Sequence, residues 1–238
     1  MIRIVMNYEF NWDKVLTGQG AEWLVHGLIV TLKISAVSLV LSLALGTLIA
    51  VFRMTPVKPL KWFAAAYTEF FRNTPLLVQI MFWYFGSDPI LPGPVKQWLY
   101  NMDFEFAAGV ISLTVYTSAF IAEEIRAGIF AIPKNQLEAS RATGLSFFQA
   151  YRYVILPQAF RIIIPPLISQ FLNLIKNSSL VMAIGVMDLT YMARQIESYY
   201  FRGFEAFTVA TLIYLCISLV VSFAITMYNK HFLLQIKY

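Results

Sequence analysis

Apolar residues in this chain come in long uninterrupted blocks instead of the short periodic stripes of a water-soluble domain. The first covers residues 24–52, and others follow at about 62–85, 106–125, 151–187 and 207–228. Each reaches the roughly 20 residues that cross a bilayer as a helix. The pattern predicts an all-α polytopic membrane protein with five transmembrane helices. An extracytoplasmic segment, residues 1–21, precedes a membrane domain at 22–230, and a short cytoplasmic tail follows at 231–238.

One stretch breaks this pattern. From Lys134 to Ala159 the chain is amphipathic and rich in charge. Pro133 suits the start of a helix, and Gly144 suits the residue just past a helix end, where positive φ is needed. Ser146 and Gln149 then have the spacing of a capping box, which starts a second helix at once. Glu138, Arg141, Arg152 and Arg161 are distributed around the bend. A helix-turn-helix of this polarity, residues 133–158, cannot lie in hydrocarbon.

Composition agrees with the blocks. Of 238 residues, 59% are hydrophobic and 13% charged, against about 25% charged in soluble domains. The formal net charge of +5 forms no basic face, which argues against a nucleic-acid partner. It follows topology instead. Arg53, Lys58 and Lys61, then Arg126, Lys134, Arg141, Arg152 and Arg161, then Lys230 and Lys237 fall on one side. Arg3, Lys14, Lys96, Arg194 and Arg202 fall on the other, diluted by Asp88, Asp103, Glu105, Asp188, Glu197 and Glu205. Positive residues mark the cytoplasmic side, so the N-terminus is expected outside and residues 134–159 inside. The first residues lack the pattern of a cleaved signal peptide. Cys216 lies in an apolar block and reads as a small core hydrophobe.

Polar residues within the blocks carry the candidate chemistry. Ser38, Ser42, Gly46 and Ala50 in the first block, and Ala210, Ser218, Ser222 and Thr226 in the fifth, form small-residue stripes that suit close helix packing. In the second block, Arg72, Asn73, Thr74 and Pro75 predict a kinked helix, with Gln79 one turn beyond the proline. In the fourth, Pro157, Pro165 and Pro166 predict a broken helix, followed by Gln170, Asn173, Lys176, Asn177, Ser178 and Ser179. A lysine at the bilayer centre costs about 2.5–3.5 kcal/mol on insertion scales, so Lys176 should face a cavity or a partner. Two readings stand for these residues: a hydrophilic path for a polar solute, or a network that holds the helix breaks. Glu123 and Glu124, near the inner end of the third block, read either as helix-end electrostatics with Arg126 or as part of a gate. His26 and His231 lie at opposite ends of the topology, and no metal-binding, nucleophile-elbow or phosphate-loop motif occurs. The residues therefore suggest a transport subunit without catalytic activity or a cofactor of its own.

Three motifs, in order, resemble one family. Glu138-Ala139-Ser140, with Gly144 and then Ile155-Leu156-Pro157, is similar to the cytoplasmic Glu-Ala-Ala loop of ABC importer permeases. Phe70-Phe71-Arg72-Asn73-Thr74-Pro75-Leu76 and Leu174-Ile175-Lys176-Asn177-Ser178-Ser179-Leu180 resemble the signatures of polar amino acid permeases, the histidine, glutamine and glutamate/aspartate importers. The resemblance runs from about Gly27 to Lys230. It implies a type I importer fold in the bacterial cytoplasmic membrane and a second permease chain. It also implies two ATP-binding cassette subunits, which hold the ATP and Mg, and an extracytoplasmic solute-binding protein. By that resemblance Glu138, Ala139 and Gly144 contact the ATPase, with Arg141 added on the same face. Asn73, Thr74, Gln79, Lys176, Asn177, Ser178 and Ser179 become the solute site, and Arg72, Glu123 and Glu124 gate or end-charge residues. A neutral Asn177 leans toward glutamine, glutamate or aspartate as cargo. The alternatives are a stand-alone channel or secondary transporter for a small polar solute, and a membrane-embedded enzyme or purely structural subunit.

Overall fold

The computed structural model describes residues 8–86, 91–101 and 103–232, which are helical nearly throughout. Arg3, Asp88 and Lys237 lie outside the described residues, as do the side chains of Lys230 and His231 and the tail beyond Phe232. A short α1 (Asp13–Leu16) leads into α2 (Gly18–Met54), followed by α3 (Lys58–Arg72) and α4 (Leu76–Met81), which ends in a π turn at Phe82–Gly86. Next come α5 (Gly93–Asn101) and α6 (Phe104–Phe130), then α7 (Lys134–Ala142) and α8 (Phe147–Ala150). A π turn at Tyr151–Ile155 joins α8 to α9 (Leu156–Asn177), which tightens into a 3₁₀ run at Ser178–Ile184. The chain closes with α10 (Leu189–Tyr200) and α11 (Gly203–Phe232).

Four helical runs are long and apolar enough to cross a membrane: Gly18–Met54, Phe104–Phe130, Phe147–Ile184 and Gly203–Phe223. The second apolar block does not form one helix. It divides into α3 and α4 with Asn73–Pro75 outside either, a break where a kink was expected. Pro75 cannot donate a backbone hydrogen bond and biases Thr74 away from helical ψ, so the chain leaves the helix before the proline and restarts after it.

The fourth block departs from expectation in the other direction. Pro165 and Pro166 lie inside α9, which continues through them. Pro157 sits in the first turn of α9, directly after the π turn at Tyr151–Ile155, where the hydrogen-bond register changes. The interruption falls at Asn177, where the α-helix becomes 3₁₀, and is completed at Gly185, with φ of 93°.

At the centre, α2 and α6 run side by side in the same direction. The Ser38, Ser42, Gly46 and Ala50 stripe is buried between them. Ser42 Oγ donates to the Thr114 carbonyl at 3.3 Å. A Cβ at Gly46 would lie 2.7 Å from Ile121 Cγ2 and 2.9 Å from the Ser118 oxygen. Small residues here let two backbones approach where lipid offers no hydrophobic drive to join them. The stripe in α11 differs: Ala210 is buried, but Ser218 and Ser222 are not. Most of the outward α11 surface is apolar and exposed, including Leu212, Leu215, Leu219, Val220 and Phe223.

Around this pair the apolar core divides by level. The middle cluster joins Ile34, Leu76, Ile80, Leu113, Leu174 and Val181, so α4 and the 3₁₀ run meet against α2 and α6. At one end, Val15, Leu24, Leu189, Ile196, Ala206 and Ala210 seat α10. At the other, Ile132, Ile155, Ala159 and Ile163 seat the α7–α8 elbow. Beyond α10, Glu205 accepts from the Tyr8 hydroxyl and from the Asn11 amide (2.8 Å), which straps the N-terminal segment across the start of α11.

Candidate functional site

The α7–α8 elbow has the local chemistry its residues dictate. Pro133 immediately precedes α7, and α7 ends at Ala142 with Thr143 as its cap. Gly144 has φ of 91°, its amide donates to the Arg141 carbonyl (3.0 Å), and the Leu145 amide donates to the Ser140 carbonyl (3.3 Å). These two bonds form a Schellman motif. Two residues later the capping box is complete. The Gln149 amide donates to Ser146 Oγ (3.3 Å), and the Ser146 amide donates to Gln149 Oε1 (2.8 Å). The bend therefore has both flanks tied. Glu138, Ala139, Arg141 and Gly144 are all exposed, and Phe147 and Phe148 stand beside them, 48% and 84% exposed. A Cβ at Gly144 would meet nothing within 4 Å.

Next to the elbow, at the same end of the bundle, Arg126 donates Nε to Glu123 Oε2 (2.9 Å) and closes a second bond to Oε1. Arg53 reaches Glu69 at 3.8 Å and Glu123 at 4.0 Å, and also donates to Thr68 Oγ1. Arg72 lies 5.3 Å over the Phe120 ring. Arg53 of α2 thus joins α3 and, through Glu123, α6. Glu124, half-buried beside it, takes no part in that cluster.

The two interrupted segments hold the candidate solute residues. At the α3–α4 break, Asn73 Nδ2 donates to the Glu69 carbonyl (2.7 Å), and Thr74 Oγ1 donates to the Phe70 carbonyl (2.9 Å). Gln79, 6% exposed, spans the gap. Its Nε2 donates to the Phe71 carbonyl (3.0 Å), the Thr74 carbonyl (3.3 Å) and Thr74 Oγ1 (2.7 Å). Losing helical partners, the carbonyls before a proline need such donors, and the carboxamide supplies them. Gln79 Oε1 is buried without a partner. At the second interruption, Ser178 Oγ donates to the Ile175 carbonyl and Ser179 Oγ to the Lys176 carbonyl, each at 2.7 Å. These hydroxyls face their own helix.

Lys176 is different. It is exposed, and among the described residues its ammonium has no hydrogen bond, ion pair or ring contact. The Asn177 side chain, half-buried, likewise has no partner there. The structure brings the two interruptions together through the apolar cluster, but Asn73 and Lys176 lie on the outer surface of the single chain and not in an internal channel.

The opposite end of the bundle carries features that the motif reading passed over. Asp188 is fully buried and caps α10, accepting from the Tyr191 amide (2.9 Å) and the Tyr214 hydroxyl (3.1 Å). Burial pushes its carboxyl up to about 6. The Leu189 amide donates to Thr31 Oγ1 (3.0 Å), so α2, α10 and α11 share one polar knot. Beside it opens a cavity of about 1420 Å³ lined by Lys33, Tyr84, Asp103, Glu105 and Gly185, among others. Lys33 is the only acidic or basic residue of the first apolar block apart from His26. An ionisable residue in a membrane helix is by default a functional signal, and that signal was available in the sequence.

Comparison with known proteins gives consistent likenesses. Residues 42–233 match the family described as binding-protein-dependent transport system inner membrane component. The chain is similar to a probable glutamine ABC transporter permease protein of Bacillus subtilis (strain 168), with 43% identity over 200 residues, 84% of this chain and 88% of the relative. It is also similar to the glutamate/aspartate import permease protein GltJ of Escherichia coli (strain K12), with 33% identity over 213 residues, 87% of this chain and 86% of the relative. Among solved structures it resembles an amino acid ABC transporter crystallised with histidines. The TM-score is 0.84 at 33% identity, covering 94% of this chain and all of that one.

Proposed function

Since the chain belongs to the family of binding-protein-dependent transport system inner membrane components, we propose that it is one of two paired permease chains that carry a polar amino acid inward, driven through α7 by separate ATPase subunits. In this reading α3 and α4 together form a discontinuous second crossing. The N-terminus and α10 face outward, and the α7–α8 elbow and C-terminus face the cytoplasm. Glu138, Ala139, Arg141 and Gly144 form the contact with the ATPase pair, which holds the ATP and Mg.

The observation that carries this reading is the unpartnered Lys176 and Asn177 at the interruption of α9. A bare ammonium toward lipid at that depth costs about 2.5–3.5 kcal/mol, whereas a second permease facing it encloses a polar route between the two chains. The exposed apolar surface of α11 is of the kind that lipid or a second chain covers. Glutamine, glutamate or aspartate is the favoured cargo, supported by neutral Asn177 and by the cargo named for two relatives. An extracytoplasmic binding protein delivers it to the α10 end.

The test is uptake into proteoliposomes by the chain assembled with its partner permease, ATPase subunits and binding protein. Glu138→Lys should abolish ATP-dependent uptake while the permease still inserts and pairs. Undiminished uptake by that variant, as a channel or gradient-driven transporter would give, overturns the coupling role.

A further inference from the structure

Lys33 stands about 30 Å along the α2 axis from Arg53, close to one bilayer core thickness. With Arg53 at the elbow end, Lys33 falls at the opposite boundary of the hydrocarbon, at the mouth of the cavity beside α10. Its ammonium lies 5.4 Å over the Phe106 ring and has no carboxylate within 4.0 Å among the described residues. A cation on an aromatic face gains part of its stabilisation there and keeps its other side open to an anion.

Opposite charge lines the same cavity. Asp103 is occupied: it caps α6 by accepting from the Phe106 amide (3.0 Å). Glu105 is available, since the Tyr84 hydroxyl donates to only one of its oxygens, at 3.3 Å. Its position in the first turn of α6 favours a carboxylate, but does not require one that looks into a cavity containing an unpaired lysine. The cavity wall beside Glu105 is Gly185, whose added Cβ would lie 3.8 Å from Glu105 Cγ. Gly185 terminates the 3₁₀ run that begins at Ser178, so the cavity and the α9 interruption are two ends of one segment.

We propose that this cavity is a receiving site for the charged head of an α-amino acid, with Lys33 holding the carboxylate and Glu105 the ammonium before the solute moves toward Ser178. The two side chains form no ion pair within 4.0 Å of each other, and a zwitterion placed between them satisfies both. Its side chain is left free, so the site reads the amino acid class and not its identity. The proposal rests on the amino acid permease reading above.

The experiment uses the purified permease–ATPase complex without binding protein, with labelled L-glutamine, L-glutamate and L-histidine as probes. Competitors are the matching free amino acid, its carboxamide and its N-acetyl derivative. The wild-type complex should reject each blocked analogue by about tenfold or more, the loss expected when one charge-assisted contact is removed. Lys33→Met should lose the discrimination against the carboxamide alone, and Glu105→Gln that against the N-acetyl form alone. Lys33→Arg should retain both, which separates a lost contact from a damaged fold. An importing wild-type complex whose variants keep the full discrimination pattern overturns the site. The same variants are then assayed for uptake with the binding protein added, and variants that keep full discrimination in its absence but bind it more weakly also overturn the site, since the cavity would then be a protein contact. A complete wild-type assembly that imports no amino acid overturns the permease reading itself, independently of Lys33.

Discussion

Replacing Gly144 separates two reasons a glycine can be required. A side chain there would meet nothing within 4 Å, so volume is free. What remains is φ of 91°, which costs an ordinary L-residue about 1–2 kcal/mol. That is roughly a 5–30-fold shift in the population of the formed turn. Asparagine tolerates positive φ far better than alanine despite its larger side chain. Proline fixes φ near −65° and removes the amide that donates to Arg141, costing roughly a further 0.5–1.5 kcal/mol. The expected order for both turn formation and ATP-dependent uptake is Gly, Asn, Ala, Pro. Hydrogen exchange of peptides spanning residues 134–150 in the assembled complex reports the turn, and proteoliposome uptake reports coupling. Alanine should raise exchange by about 5–30-fold, asparagine by less. An alanine variant that outperforms asparagine would mean that space, not backbone conformation, governs the position, and would refute the reasoning.

Two further outcomes follow from the α10 end. Asp188 ionises near 6 in the folded protein and near 3.9 in a free chain. Between those values the folded state holds a proton that the unfolded state has released, so stability falls as pH rises through this window, by up to about 3 kcal/mol. Asp188→Asn keeps a good capping residue and should flatten the slope of the thermal midpoint between pH 4 and 7; an unchanged slope rules out Asp188 as its source. Gly27→Ala would put a Cβ 2.8 Å from both the Asp188 carbonyl oxygen and Leu189 Cα, backbone atoms that cannot rotate away. It should destabilise by about 1–3 kcal/mol, seen as a lower thermal midpoint, whereas Gly93→Ala, with open space around it, should not. Equal midpoints for the two would show that α2 and α10 do not pack this closely.

Short-range chemistry was the most legible part of the chain. The Gly144 turn, the Ser146–Gln149 box and the Ser38–Ala50 stripe each depend on residues a few positions apart, and all three have their expected form. The proline-rich segments were less so, because a proline removes a donor without saying where the chain responds. At Pro75 the helix opened and Gln79 bridged it; at Pro165 and Pro166 it stayed closed. The α10 helix was missed although Leu189, Met192, Ala193 and Ile196 have helical spacing, since a charged connection between apolar blocks reads as a loop. Lys33 was passed over because the apolarity of its block dominated. Whether the candidate residues Asn73, Lys176 and Asn177 meet a solute depends on surfaces outside one chain, which no pattern along that chain encodes.

The helical run Phe147–Ile184 is 38 residues long and begins at the doubly tied elbow. Mechanically it is a beam clamped at one end, and α-helical stretches of such a beam are stiff. Its compliant sections are the π turn at Tyr151–Ile155 and the 3₁₀ run at Ser178–Ile184, where the hydrogen-bond register changes, and between them the Pro165–Pro166 pair, where two backbone donors are missing. Torque applied to α7 is therefore concentrated at these sections. The 3₁₀ run adjoins Lys176 and ends at the Glu105 cavity wall, so on the reading proposed above strain entering at the elbow is released beside the candidate solute residues.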